Sequence, residues 1–409
     1  MYLVFCFISK RSLLINSRLL NSKFGGCVRD LEFIKSLPMG VKHIGGGVAV
    51  PLLDPAAYRV RRHVFLSGAQ ELLYPFFAEK IDQETGEIKR RSEFRVSACF
   101  RSPVDPDGVK IYQNGQSIGY SGVIRCGNVW GCPICCAKVM RLRGEQISRI
   151  FESVHGEGGS AVLVTLTASH SFDQKLSFLL SAFKDAKRAL SQMRVFRELI
   201  IDRLGAVSAT EITWGAKSGW HPHQHDSWFF AKPVDADLLA TQIFSLWKKA
   251  CNSVGLKTLE AYRGNRVGVD VRQAWNAADY TTKFDRERSW SLAAEMTAGR
   301  LKMAQAKSMT PWALLEDSII HGSGSASAAL FIEYLRATKG KACISLKAAT
   351  NLCERLGLPT SLNDFKDANE KGAGEIIGVV PGGQFDRVVR AGGLGELLVD
   401  SQVGLLIPV

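Results

Sequence analysis

A chain of 409 residues with 52 Lys and Arg against 39 Asp and Glu carries a net charge of +13. Such an excess implies a polyanionic partner, because each Lys or Arg gains by displacing counterions from phosphates. Hydrophobic residues at 46% and charged residues at 22% are ordinary for a globular protein, and no apolar run approaches the ~20 residues of a membrane span, which argues against an integral membrane protein.

The length exceeds the usual ~100 to 200 residues per domain, so a main domain with smaller appendages is expected. The N-terminal MYLVFCFISKRSLL places its apolar run before its positive charges, the reverse of the secretory order. It therefore reads as a disordered or misassigned start, and residues 1–90 as a region without a readable role. Ten cysteines are too sparse for a secreted disulfide scaffold. Cys126, Cys132, Cys135 and Cys136 crowd into eleven positions, which points to metal in a reducing cytoplasm.

Residues 91–150 read as a cysteine-rich, zinc-like module running into the amphipathic helix AKVMRLRGEQISRIF. After a glycine break, AVLVTLTAS at 161–169 alternates like a half-buried strand. Residues 175–204 read as one helix, with Leu176, Leu179, Leu180, Phe183, Ala186, Leu190, Met193 and Phe196 at three- and four-residue steps. SATEITW and HPHQHDSWFF flank the turn GAKSG as a β-hairpin, Asp235 to Leu256 reads as a helix, VGVDVR as a short strand and Ala274 to Phe284 as a helix. The order β-α-β-β-α-β-α favours an α+β sandwich on a largely antiparallel sheet over residues 151–310. Pro311 and HGSGSASAA at 321–329 mark a looser region, and 311–409 reads as a helical and short-strand region, with a helix over Lys347 to Gly357 and short strands in the last forty residues.

His221, His223 and His225 alternate on one predicted strand, and these three of the chain's eight histidines face one side. The strand is either a metal site or a surface strand with incidental histidines, and the concentration favours metal. Imidazoles alone suit zinc or copper; carboxylate and water ligands added to them suit Mg²⁺ or Mn²⁺. Glu211, on the partner strand, shares that face if the turn pairs it with His223; otherwise it is a solvent-facing glutamate.

Cys126, Cys132 and Cys135 form C-x5-C-x2-C, and Cys99 can reach back as a fourth thiolate of a closed, structural zinc site. Free buried thiols are the alternative, and Cys136 competes with Cys135. The ion would rigidify a segment whose Arg125, Lys138, Arg141 and Arg143 suit phosphate contacts or form a solvated face. Trp130, Trp214, Trp220 and Trp228 suit either base stacking or the core.

TLTAS, GWHPHQH and DYTTKF, in this order and spacing, resemble the three motifs of HUH-type replication initiators, the rolling-circle plasmid Rep proteins. CGNVWGCPICCAKV, MTPWALL and EYLRATKGK extend the resemblance over about residues 95–345. It implies an HUH endonuclease-like sandwich at 151–310, with a central antiparallel five-stranded sheet flanked by helices. It also implies Mg²⁺ or Mn²⁺ on His223 and His225, with Glu211 as third ligand and His221 as fallback. Thr165 and Thr167 would underlie the site and position DNA, Tyr280 would be the nucleophile and Lys283 its electrostatic support. The implied reaction is nicking of single-stranded origin DNA in the bacterial cytoplasm, with a host helicase and polymerase as partners.

Some relatives carry a carboxylate one helical turn before the tyrosine; here Asn276 stands there, which leaves the termination step open. A relaxase would place its tyrosine before the histidines. An HUH transposase shares the chemistry, and a zinc-stabilised DNA-binding regulator is the non-enzymatic alternative.

Overall fold

A computed structural model describes residues 55–81, 83–105, 107–114, 117–258, 268–274, 308–364 and 374–390, with Gly393, Leu394 and Leu397. In chain order the strands are β1 (Phe77–Ile81), β2 (Ile88–Ser92), β3 (Val109–Asn114), β4 (Ser117–Ser121), β5 (Ser160–Leu166), β6 (Arg203–Gly215), β7 (Gly219–Phe230), β8 (Val269–Ala274), β9 (Ile344–Ser345) and β10 (Glu375–Val380). The helices are α1 (Pro55–Leu73), α2 (Pro133–Gly156), α3 (Leu176–Gln192), α4 (Arg194–Leu199), α5 (Ala236–Ser253), α6 (Pro311–His321), α7 (Ala326–Thr338), α8 (Thr350–Arg355) and α9 (Gly382–Arg390).

The fold is α+β around an antiparallel five-stranded sheet of order β8-β5-β7-β6-β9. Its centre is the β6–β7 hairpin, whose strands pair from Arg203 with Phe230 to Gly215 with Gly219. Gly219 closes the turn at φ +73°, a conformation other residues adopt only under strain.

β5 departs from the expected half-buried alternation: Ala161, Val162, Leu163, Val164 and Leu166 are all buried. It lies between β8 and β7 with both faces covered, so both parities of its side chains are apolar. On one face α3 packs against α5, and Lys187 of α3 reaches Asp226 of β7 at 2.9 Å. On the other, Leu352 of α8 closes on Gly205, where an added Cβ would meet it at 3.1 Å. α2 also packs against β5 and β7.

The helix expected over 175–204 is two helices and the start of a strand, because Met193 is extended (φ −68°, ψ 128°) between α3 and α4. Its apolar spacing persists across that change of axis, since Phe196 of α4 sets its ring edge-on against Trp228, 5.8 Å away. Asp235 caps α5 by accepting the Leu238 N–H.

The region expected to be loose beyond Pro311 holds two capped helices instead. Thr310 caps α6 with Pro311 in its first turn, and Ser325 caps α7. These Pro, Ser and Thr residues are helix starts, which composition alone read as a break. The C-terminal stretch contributes the strand β10 and then α9, where short strands alone were expected.

Strands from both sides of residue 310 share sheets. β9 edges the five-stranded sheet beside β6, and β10 pairs with β3 in a sheet of order β10-β3-β4. Among the described residues no helix is long and apolar enough to cross a membrane.

Candidate functional site

Two clusters of potential ligands stand out. The first gathers Cys99, after the short turn Arg95–Ala98, Cys126, in the loop after β4, and Cys132 and Cys135, at the start of α2. All four are buried, and their Sγ atoms lie within 4.8 Å of one another. Cys99 to Cys135 is 3.7 Å, Cys126 to Cys135 is 3.7 Å and Cys132 to Cys99 is 3.6 Å. Four thiolates at ~2.3 Å from one tetrahedral ion are ~3.8 Å apart, so the cluster could bind a metal with little rearrangement.

Backbone N–H groups of Cys126, Asn128 and Cys135 donate to the sulfurs of Cys99, Cys126 and Cys132, each at 3.4 Å. Hydrogen bonds from Cys126, Cys132 and Cys99 push the Cys135 thiol far below its usual range. Asn128 fixes the loop, its Oδ1 accepting from the N–H groups of Trp130 and Gly131 at 2.8 Å. Cys136 is buried but stands outside the group.

The second cluster lies on one face of the sheet. The registers pair Glu211 with His223, Thr213 with His221, and His225 with both Ala209 and Thr165. Cross-strand partners point the same way, so Glu211, Thr165 and the three histidines share that face. His225 is buried and held at both nitrogens: Nδ1 is 3.1 Å from Thr165 Oγ1, and Nε2 is 3.1 Å from Glu211 Oε2. The His223 ring is 6.1 Å from His225 and 3.9 Å from His221.

A fourth histidine, His170 in the loop after β5, stacks on His221 at 4.3 Å, and its buried Nε2 has no hydrogen-bond partner. Sequence reasoning missed it, because it follows the strand and shares no period with the others; its only cue was its place directly after TLTAS. Burial, and then the neighbouring His223 and His170, push His221 down to about 3. Burial also pushes His223 down to about 4, although Glu211 opposes that shift. Both rings are therefore neutral at neutral pH, the form that binds metal.

Among the described residues no group of three including these histidines has its ligand atoms within 4.8 Å, so the row is open where the cysteine cluster is closed. The Glu211 and His225 pair does fit adjacent positions on a divalent ion, since octahedral ligands at ~2.1 Å stand ~3.0 Å apart.

The basic residues expected on DNA divide. Arg125 donates to the Tyr120 carbonyl at 2.6 Å and stacks over Phe100, while Arg143 turns in to Gln146 and the Thr360 carbonyl. Lys138 is half-buried, and Arg141 is exposed and paired with Glu145. Thr167 joins elements through its backbone, its N–H to Gly268 and its carbonyl to Trp247 Nε1. Trp130, Trp220 and Trp228 are buried in the core, whereas Trp214 is half-buried, tilted against Phe172. Tyr280, Lys283 and Asn276 lie outside the described residues. The chain is described up to Ala274 and again from Ser308, and Met309 pairs with Trp214 at the hairpin end of the sheet.

No family model and no solved structure matches this chain. It is 27% identical over 305 residues to "Protein rep" of Streptomyces lividans, a match covering 59% of this chain and 66% of the relative. It is 30% identical over 151 residues to a "Neomycin resistance protein" of Streptomyces cyanogenus, covering 30% of this chain and 34% of that protein. The chain thus spans less than two thirds of either relative's length.

Proposed function

We propose that this protein starts rolling-circle replication of a plasmid or phage by nicking single-stranded DNA at an origin. The carrying observation is the face shared by Glu211, His221, His223, His225 and Thr165, on which the His221 and His223 rings are neutral and Glu211 stands in cross-strand register with His223. The similarity to a protein named for replication supports a replication role.

In this reading Tyr280 Oη attacks the scissile phosphorus and Lys283 favours the phenolate. The 3′ oxygen departs as a free 3′-OH, leaving a 5′-phosphotyrosine. A bound Mg²⁺ or Mn²⁺ would supply charge neutralisation at the phosphate oxygens. His223, His225 and Glu211 would hold that ion, with His221 in reserve, and Thr165 would orient His225 from behind. The bond energy retained in the adduct allows rejoining without ATP, and the 3′-OH would prime a host polymerase behind a host helicase in the cytoplasm. Cys99, Cys126, Cys132 and Cys135 would hold a structural Zn²⁺ that fixes the start of α2.

Incubation of the protein with labelled single-stranded origin DNA and Mn²⁺ should give a covalent adduct on a denaturing gel, and Tyr280→Phe should give none. An adduct that survives this change places the nucleophile elsewhere. A zinc-stabilised regulator would bind duplex DNA and form no adduct at all.

A further inference from the structure

The loop after β5 crosses the turn end of the β6–β7 hairpin and leaves an aromatic ring there in solvent. His170 in this loop stacks on His221. Two residues on, Phe172 lies against Gly219, where an added Cβ would stand 2.8 Å from the Phe172 carbonyl oxygen and 2.9 Å from its Cα. The backbone is thus packed in place while the Phe172 side chain stays exposed, at 60%. The Trp214 ring braces it at 6.5 Å, tilted by 56°. Trp214 is itself fixed by hydrogen bonds to Met309 in both directions, at 2.9 and 2.6 Å.

Lone exposed apolar side chains are common and mean nothing by themselves. This one is held by its backbone, backed by a second aromatic and placed at the end of a row of imidazoles. Lys175 at the end of the loop, Lys257, whose backbone bridges Ser169 at its start, and Lys217 in the hairpin turn are all exposed. Asp173 is the acidic residue of the loop itself, with its carboxylate engaged by Ser171, and Glu333 is held at the start of α3 by the Leu176 N–H. An exposed ring on a loop and hairpin that also carry exposed lysines suits a ligand with a flat apolar face and a negative backbone, which favours an unpaired nucleotide over an apolar peptide.

We propose that Phe172, braced by Trp214, seats one unpaired nucleobase of the DNA strand beside the histidine row. This deepens the single-strand nicking reading and rests on it. The base stacks on the Phe172 ring, and the phosphate next to it is thereby delivered towards His221 and His223.

The test uses the full chain without added divalent ions and two probes of about 12 nucleotides: oligothymidylate, and an abasic deoxyribose phosphate of equal length. Phe172→Ala should weaken oligothymidylate binding about tenfold and leave the abasic probe within about twofold, and Phe172→Trp should restore the loss. Equal losses on both probes, or no loss on either, overturn the proposal, as does wild-type protein that binds the two probes equally. A peptide-docking role for this ring predicts one of those overturning results. The adduct assay separates the two failures: an adduct with no base-dependent effect of Phe172 removes this seat and keeps the nicking reading. A base-dependent effect without an adduct does the reverse.

Discussion

The cysteine cluster and the histidine row are both sets of potential ligands, yet they are built in opposite ways. The cysteines come from three separate stretches of chain and close into a buried group with sulfur separations of 3.6 to 3.7 Å. The histidines come mainly from one strand and lie in line along it, with ring separations from 3.9 to 6.1 Å. A closed group leaves no coordination position for a substrate and adds to folding, whereas an open row leaves positions free and adds little to it. The first arrangement suits architecture and the second suits chemistry.

The strongest way to break that contrast is to remove a ligand from each. Cys99→Ala should cost about 4 kcal/mol or more in denaturant unfolding, in line with loss of a structural metal, and should release zinc measured by a colorimetric chelator. His223→Ala should change unfolding by less than about 1 kcal/mol, because this half-buried ring leaves no closed cluster behind. Similar losses in the two variants would erase the distinction.

A second test uses pH. His63 of α1 is buried beside Phe100 and Tyr120, with its Nδ1 unpartnered, next to the cysteine region. Burial, and then Arg62 and Arg125, push it down from 6.5 to about 3. Below pH 6.5 the unfolded chain protonates this ring while the folded chain keeps it neutral, so the unfolded state binds more protons and stability falls as pH falls. The stability is fully present above about pH 6.5 and its loss is complete near pH 3. Between pH 7 and pH 5 the loss should be roughly 2 kcal/mol from this group, and His63→Leu should flatten the slope by that amount. An unchanged slope would show that His63 titrates normally.

The sequence was informative where a residue's chemistry depends on local spacing. The alternation at His221, His223 and His225 together with the turn GAKSG implied the strand face, and the structure pairs Glu211 with His223 in the register that reading needed. The same local logic grouped Cys126, Cys132 and Cys135. What it missed depends on distant packing. His170 joins the row only because a loop folds back over the hairpin, and Arg125 and Arg143 turn inward to carbonyls at Tyr120 and Thr360. Composition misread 311–329 as loose because Pro and Ser also mark helix starts, as Pro311 and Ser325 do here. β9 was invisible because two residues, Ile344–Ser345, give no period.

The smallest expected effect sharpens how the open row would be tuned. His225 has Glu211 at Nε2 and Thr165 at Nδ1, both at 3.1 Å. With Nε2 protonated, the ring donates to the Glu211 carboxylate and the Thr165 hydroxyl donates to Nδ1. To bind an ion through Nε2 the proton must move to Nδ1, where it donates to Thr165 Oγ1. The hydroxyl serves both tautomers because it can donate or accept, and valine, of nearly the same shape, serves neither. Thr165→Val should therefore weaken Mn²⁺ binding about tenfold, followed by the electron spin resonance of the free ion, and cost about 1 kcal/mol in unfolding. Thr165→Ser should restore the affinity, since it keeps the hydroxyl and loses only a methyl group. If valine binds Mn²⁺ as tightly as threonine does, His225 is a partner of Glu211 within the sheet and the ion is held elsewhere along the row.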